Sequence, residues 1–377
     1  MADQTVPRPA EAPRAIDDFM PLDGIDHVEL YVGDAAQAAY YYTRAFGFRR
    51  VAYRGLETGS RDSTSHVVEQ GRIRLVLTGA LGSGSPIAEH HRRHGGGVKV
   101  IALAVRSAER AYAEATARGA QGITPPHEAA DRHGSVVLAT IAAYGDTQHT
   151  FVERGAYAGP FLPGYEPVED GTRDAGLLED VDHIVGNVER GSMEIWVGFY
   201  ERVFGMTEMA RFTGAAIATE YSALMSKVVA DGAGRVKFPI NEPAEGRRRS
   251  QVDEYLAFYE GPGAQHIAIQ TRDIVTTVAE LRRRGVEFLP VPSSYFDGLP
   301  DRVPAVAGRL AGLREHGILV DRDDEGHLLQ IFTRPLGDRP TIFFELIERH
   351  GARGFGEGNF RALFEALERE QEKRGNF

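Results

Sequence analysis

Residues 23–48 read DGIDHVELYVGDAAQAAYYYTRAFGF, and residues 180–206 read DVDHIVGNVERGSMEIWVGFYERVFGM. Each stretch has Asp-His near its start, continues with an apolar run typical of a strand and a stretch typical of a helix, and ends with Phe-Gly before another apolar residue. Such self-similarity indicates an internal duplication. The sequence therefore predicts a chain of two similar halves.

A second pattern recurs further along each half. It is a short apolar strand, then a helix stopped by glycine, then a closing strand that ends in Glu-Arg. The matched pairs are 98–105 with 265–271, 107–120 with 274–286, and 148–154 with 342–349. Each half thus holds two βαβββ modules, which places the chain in the α+β class.

These repeats suggest five segments. We predict a flexible N-terminal tail at 1–20, a domain without metal at 21–155, a linker at 156–178, a catalytic domain at 179–350 and a C-terminal helix within 351–377. The linker is rich in glycine, proline and acids. A length of 377 residues also favours two domains.

The C-terminal helix has an apolar stripe at helical spacing, formed by Phe360, Leu363, Phe364 and Leu367. Three glycines precede it, at positions 354, 356 and 358, and they give the backbone freedom to pivot. We expect this helix to be a lid over the site; the alternative is a helix packed permanently on the domain.

Composition excludes several classes of protein. The chain has no cysteine, which excludes disulfides, thiolate zinc sites, iron–sulfur clusters and a cysteine nucleophile. A net charge of −11 argues against nucleic-acid binding. There is no apolar run long enough to span a membrane and no secretory signal, so a cytoplasmic protein is expected.

Any metal must therefore bind to histidine and carboxylate side chains. His183 and His266 each lie in or beside an apolar strand, and Glu345 lies inside the strand TIFFELI. A carboxylate among apolar neighbours is costly unless it is paired or bound to metal. A strand has two faces, however, and Glu345 could instead point to water. His90, His91 and His94 fall in EHHRRHGGG, which we interpret as a solvated loop.

Alignment of the halves favours the metal site. His27 matches His183, whereas Val100 matches His266 and Thr150 matches Glu345. Only the second half has all three residue types of a facial 2-His-1-carboxylate site. We therefore predict one metal per chain, in the second half, with His27 as a structural remnant.

Five segments carry a resemblance to the 4-hydroxyphenylpyruvate dioxygenases of the vicinal-oxygen-chelate superfamily. They are DHIVGNVERGSMEIWVGFYERVFG, TEYSALMSKVVADGAGRVKFPINEPAEGRRRSQVDEYL, GPGAQHIAIQTRDIV, LLQIFTRPLGDRPTIFFELIERHG and GFGEGNFRALFEALE. The first half fits less sharply, and the resemblance covers roughly residues 20–377.

The resemblance implies two βαβββ-repeat domains, each an incomplete mixed β-barrel, with Fe(II) in the second. It implies that 4-hydroxyphenylpyruvate and O2 become homogentisate and CO2 by oxidative decarboxylation, ring hydroxylation and side-chain migration, a step of tyrosine catabolism. Because the substrate carries its own α-keto acid, no separate keto-acid cosubstrate is needed. A homodimer or homotetramer is also implied.

The resemblance assigns roles residue by residue. The iron ligands are His183, His266 and Glu345. The polar catalytic positions are Ser226, Asn241, Gln251, Gln265 and Gln330. The substrate pocket is formed by Pro239, Phe332, Phe343, Phe355, Phe360 and Leu363. Amides bind a phenol without a charge to desolvate, and phenylalanines stack on a ring and exclude water.

Three alternatives remain. A 4-hydroxymandelate synthase would share the fold, metal ligands and substrate, but Pro239, Asn241 and Phe343 match the dioxygenase pattern. A non-catalytic small-molecule binding protein of the same fold would lack the three ligands. An extradiol catechol dioxygenase would carry His or Tyr acid–base residues where this chain has Gln and Phe.

Overall fold

The computed structural model describes residues 18–169, 171–212 and 223–375. The strands are β1 Leu22–Tyr31, β2 Arg49–Arg54, β3 Ser63–Gln70, β4 Ile73–Ala80, β5 Gly97–Val105, β6 Gly122–Asp131, β7 Gly134–Ala142, β8 Gln148–Glu153, β9 Glu166–Pro167, β10 Val181–Asn187, β11 Thr207–Phe212, β12 Leu224–Ala230, β13 Lys237–Pro243, β14 Gly263–Gln270, β15 Leu319–Arg322, β16 His327–Phe332 and β17 Phe343–His350. The α-helices are α1 Ala35–Tyr41, α2 Pro86–His94, α3 Ala108–Ala117, α4 Met193–Phe204, α5 Gln251–Tyr259, α6 Ile274–Arg283, α7 Leu299–Arg302, α8 Leu310–His316 and α9 Glu357–Lys373.

Two mixed sheets form the framework. The first has the order β6-β7-β8-β5-β1-β4-β3-β2-β9, and the second has the order β11-β12-β13-β10-β14-β17-β16-β15. In each, the first strands of the two modules pair antiparallel at the centre, and each pairs in parallel with the last strand of its own module. This is the duplicated βαβββ arrangement predicted from the repeats.

The strand registers place the two halves in correspondence. Directly paired residues form two ladders, His27–Ala102–Thr150 and His183–Ala268–Glu345. Val100 and His266 each lie two residues before the central alanine, on the same face of their strands. The register therefore confirms the alignment of the halves, and the first half presents valine and threonine where the second presents histidine and glutamate.

One apolar core joins the halves. Phe46 of the first half and Phe344 of the second meet edge-to-face with ring centroids 5.1 Å apart. Nearby, Nε2 of His149 lies 2.9 Å from the hydroxyl of Tyr200, and both side chains are fully buried. The two sheets therefore share packed side chains as well as a connecting segment.

Among the described residues, the predicted tail and linker both contain packed side chains. Of the tail, residues 1–17 lie outside the described residues. Met20 is buried, and the Phe19 ring lies 3.6 Å from the Arg118 guanidinium. In the predicted linker, Phe161 and Tyr165 are buried in a cluster against the first sheet. The bounds of the tail, domains and linker stay a prediction.

The interpretation of His90, His91 and His94 as a solvated loop is wrong. They lie in α2, which Ser85 caps by accepting a hydrogen bond from the Ala88 N–H. His90 and His94, one turn apart on one face, are buried. The missed signal was Ser-Pro at the start of the segment and Gly after it, which is a helix signature.

Among the residues that the structure describes, no helix combines the length and apolar character needed to cross a bilayer.

Candidate metal centre and substrate pocket

Three neighbouring strands bring the predicted ligands together. His183 lies on β10, His266 on β14 and Glu345 on β17. The Oε2 atom of Glu345 lies 3.3 Å from Nε2 of His183 and 3.3 Å from Nε2 of His266. All three side chains are buried, so the alternative in which Glu345 points to water is excluded.

Local irregularity of the strands aims these side chains. The pairing of β10 with β14 shifts register between Val181 and His183 and again between Val185 and Gly186. Bulges re-aim side chains in this way and are common beside functional sites. The first sheet has a matching shift between Ile25 and His27, so this feature is shared by both halves.

Hydrogen bonds fix the ring nitrogens that face the centre. Nδ1 of His183 lies 2.7 Å from Oδ1 of Asp182, and Nδ1 of His266 lies 3.0 Å from Oε1 of Gln265. Because both partners are acceptors, each Nδ1 donates, so a ring that gives up its Nε2 proton to a metal would be neutral and would present the lone pair of Nε2. Two lone pairs and a carboxylate then converge, an arrangement that a cation stabilises.

The electrostatics of the three groups agree with metal binding. Burial raises the pKa of Glu345, but hydrogen bonds with His183 and His266 outweigh it, so the pKa is lowered and the carboxylate is ionised. Burial lowers the pKa of His266, which keeps the ring neutral. Burial opposes the charge on His183 as well, but hydrogen bonds with Asp182 and Glu345 dominate and raise its pKa. A proton therefore competes with metal mainly at His183.

The ligand set fits a divalent transition metal. Two imidazole nitrogens and one carboxylate on one face leave the remaining positions open, which is the set used by non-haem Fe(II) oxygenases. Within the described ranges, His183, His266 and Glu345 are the one group of three or more metal-binding side chains with ligand atoms this close together. The chain thus holds a candidate metal centre in the second half.

A cavity of about 50 Å³ adjoins the three ligands. Most of the predicted polar and apolar pocket residues line it: Ser226, Pro239, Asn241, Gln251, Gln265, Phe332, Phe355, Phe360 and Leu363. Among the described residues of this lining there is no Lys or Arg. A metal held by the three ligands would therefore be the cation that this lining offers to a bound carboxylate.

Two predicted pocket residues lie just outside this lining. Phe343 stacks on the ring of His266 at a centroid distance of 4.8 Å. Gln330 is buried beneath Gly356, and neither of its amide atoms has a hydrogen-bond partner among the described residues. The roles of both stay predictions, and the unpaired amide of Gln330 leaves it free to bind a ligand.

The sequence reasoning missed five lining residues: Val185, Phe212, Leu224, Val228 and Phe364. Strand periodicity could have found three of them. Leu224 and Val228 are two positions from Ser226 on one strand, and Val185 is two positions from His183, so they share a face. Phe364 lies one helical turn after Phe360.

Sequence comparisons relate the chain to known proteins. The family described as Glyoxalase/Bleomycin resistance protein/Dioxygenase superfamily matches residues 24–148 and 180–331. A 4-hydroxyphenylpyruvate dioxygenase of Yarrowia lipolytica is 44% identical over 98% of each chain. One of Dictyostelium discoideum is 46% identical over 94% of this chain and 100% of its own.

The chain belongs to the 4-hydroxyphenylpyruvate dioxygenase family. A solved structure that aligns well with this family member is a substituted variant of 4-hydroxymandelate synthase from Streptomyces coelicolor. It is 34% identical, covers 93% of this chain and 100% of its own, and has a TM-score of 0.86. A second solved structure shares the fold. It is a fusion of a xylose isomerase-like TIM barrel with a 4-hydroxyphenylpyruvate dioxygenase, and it aligns with a TM-score of 0.74 at 23% identity. The alignment covers 94% of this chain and 54% of the fusion protein.

Proposed function

We propose that the chain is an Fe(II)-dependent enzyme that converts 4-hydroxyphenylpyruvate and O2 into homogentisate and CO2. The observation that carries this proposal is a buried 2-His-1-carboxylate group at the end of a cavity lined by amides and phenylalanines. The family supports the substrate, and the ligand set supports iron. One Fe(II) per chain is bound by His183, His266 and Glu345.

The residues around the metal site have separate roles in binding the substrate. When bound, Fe(II) would supply coordination positions for the α-keto acid and O2 and would activate O2, which is the oxidant of the reaction. The amides of Asn241, Gln251 and Gln265 orient the polar groups of the substrate without adding charge. Phe332, Phe355 and Phe360 enclose the aromatic ring and exclude water from the reacting atoms.

A 4-hydroxymandelate synthase remains the second candidate, because a structure of that enzyme aligns over 93% of the chain with a TM-score of 0.86. Pro239 and Asn241 line the cavity, as the dioxygenase pattern expects. Phe343 stacks on His266 rather than lining the cavity. Catechol cleavage is less favoured, since the described lining has no tyrosine, and its histidines are two of the three proposed ligands.

The test is identification of the product. Both candidate enzymes consume O2 and release CO2, so gas measurements do not separate them. Purified protein reconstituted with Fe(II) is incubated with 4-hydroxyphenylpyruvate, and the products are separated by chromatography and assigned by NMR. We expect homogentisate, with a new ring hydroxyl and a migrated side chain. 4-Hydroxymandelate as the main product would overturn the proposal.

Cellular context stays a prediction. Assembly of copies into a homodimer or homotetramer, cytoplasmic location and a place in tyrosine and phenylalanine catabolism are proposed with this activity. No nucleic acid or membrane is proposed as a partner.

A further inference from the structure

A half-buried arginine, Arg349, supports one of the candidate ligands. Arg349 donates to both oxygens of Asp182, with Nε 2.8 Å from Oδ2 and Nη2 2.9 Å from Oδ1. Asp182 in turn accepts the Nδ1 proton of His183 at 2.7 Å. Gln270 and Lys237 also contact Asp182, at 2.8 and 3.3 Å. The orientation of His183 is therefore held by a network centred on one carboxylate.

The remaining arm of Arg349 reaches a different part of the chain. Its Nη1 donates to the backbone carbonyls of Ala352 at 3.1 Å and Gly354 at 2.7 Å. The next residue, Phe355, meets the ring of His183 edge-on with centroids 5.0 Å apart. One guanidinium thus links the support of a metal ligand to the segment that leads into α9.

The first half contains the same arrangement of side chains but not the three ligands. Arg154 donates to both oxygens of Asp26 at 2.6 and 2.7 Å, and Asp26 lies 2.7 Å from Nδ1 of His27. Nη1 of Arg154 donates to the carbonyl of Phe161, whose ring meets His27 edge-on at 5.0 Å. The simplest interpretation of each Asp–Arg pair is a salt bridge that stabilises its sheet. Because the first half has the pair but not the three ligands, it offers a matched control for that interpretation.

We propose that Arg349 is a positioning residue that holds His183 in its metal-binding orientation and fixes the segment Ala352–Phe355 against the same ring. The inference rests on the proposed metal site. A fork of five N–H donors in one plane can bind a carboxylate and two carbonyls at once, which an ammonium group cannot. Arg349 therefore connects the metal ligand, the pocket wall at Phe355 and the segment that leads into α9.

The test measures Co(II) binding to metal-free protein by visible absorption, without turnover. Three variants are compared with the unsubstituted chain: Arg349→Gln, Arg349→Lys and Arg154→Gln. Loss of a supporting residue of this kind weakens metal binding by about 10- to 100-fold. We expect that loss for Arg349→Gln, together with changed Co(II) bands, and a change of less than about 3-fold for Arg154→Gln.

The second readout is trypsin cleavage after Arg353, which is exposed beside the fixed segment. Arg349→Lys keeps a positive charge beside Asp182 but loses the fork. It should retain more Co(II) affinity than Arg349→Gln and still be cleaved faster after Arg353 than the unsubstituted chain.

The outcomes separate this inference from the proposed function. If the unsubstituted chain fails to bind Co(II), the proposed metal site is wrong. If it binds and Arg349→Gln binds equally well, the positioning role is wrong. Equal losses of Co(II) affinity in Arg154→Gln and Arg349→Gln would show that both Asp–Arg pairs only stabilise their sheets. If Arg349→Gln does not fold, Arg349→Lys decides: unchanged Co(II) bands and unchanged cleavage overturn the inference.

Discussion

Glu345 is placed where an ionised side chain is costly. It is buried, next to Phe343, Phe344 and Leu346 on β17, and its charge must be offset locally. The two imidazoles beside it are held with their Nε2 atoms toward it, so a cation stabilises all three groups together. Removal of any one ligand should therefore affect metal binding more than folding.

We predict that Glu345→Gln or His266→Ala abolishes bound iron and activity together, because each removes one of three protein ligands. His27→Ala is the matched control, since His27 has the same position in the half that lacks the other two ligands. It should leave both properties nearly intact. Iron content by elemental analysis and product formation are measured on each variant. A metal peak in the first half by anomalous scattering would contradict the prediction.

At the level of single residues, the sequence predicts the three candidate ligands but not the residues that support them. His183, His266 and Glu345 interrupt apolar strands, and the alignment of the halves and the family resemblance select them. Asp182 is visible as part of the Asp-His pair in the second repeat, and Arg349 as part of its closing Glu-Arg. Their pairing is between residues distant in the chain, however, and only the strand order brings them together. Gln265 is predicted as a polar catalytic residue, and its side chain also orients His266.

Helix α9 forms one wall of the cavity beside the candidate ligands. Its apolar stripe packs in the same cluster as Phe332 and Phe343, and Phe360 meets Phe212 edge-on at 5.0 Å. Because Phe360 and its neighbours on the helix line the cavity, movement of α9 would open the site, and we propose that it acts as a lid.

The structure places Gly358 inside the first turn of α9 rather than before it, so only Gly354 and Gly356 precede the helix. Gly356 and Gly358 have a role that the sequence does not reveal. A side chain at Gly356 would meet the amide of Gln330 at 2.2 Å, and one at Gly358 would meet Asp321 at 2.5 Å. Gly356 also has a φ of +77°, which favours glycine. Close approach and a left-handed turn explain these positions, in addition to any freedom to pivot.

We predict that truncation after Gly358 leaves a folded, metal-binding protein with strongly reduced product formation and more O2 consumed per product, because water reaches the site. Phe360→Ala should act in the same direction more weakly. Arg369→Ala, on an exposed charge of the same helix, is the control. O2 uptake and product are measured in parallel.

Two results would contradict the lid hypothesis. Normal turnover by the truncated chain would show that α9 is not needed to close the site. Failure of the truncated chain to fold would show that the helix is part of the permanent core. Phe360→Ala would then be expected to lower the stability of the fold rather than the amount of product formed per O2 consumed.

At the scale of the whole molecule, buried histidines make stability depend on pH. Burial lowers the pKa of His149 to about 4 and, with smaller contributions from neighbouring charges, that of His90 to about 3. In the unfolded chain both return to about 6.5. The unfolded state therefore binds more protons below that value, and stability is lost as the pH falls from about 6.5 toward 4.

We predict that each of these histidines contributes up to about 1.4 kcal/mol of lost stability per pH unit in that window. His90→Leu removes one such group, whose ring nitrogens have no hydrogen-bond partner among the described residues, and should flatten the dependence. His127→Gln, at an exposed histidine, should not. Urea unfolding midpoints at pH 5 and pH 7 are the measurement. An unchanged slope for His90→Leu would refute the assignment.

The contacts shared by the two halves bear on their evolutionary origin. Both retain an aspartate, a histidine, an arginine and a phenylalanine in the same contacts, although only one half holds three ligands. The shared set is most simply inherited from the ancestor that was duplicated. The halves then diverged at the places now held by Val100 and His266, and by Thr150 and Glu345. At the three ligand positions the halves differ by two residues, and these distinguish a half that could hold a metal from one that offers a single histidine.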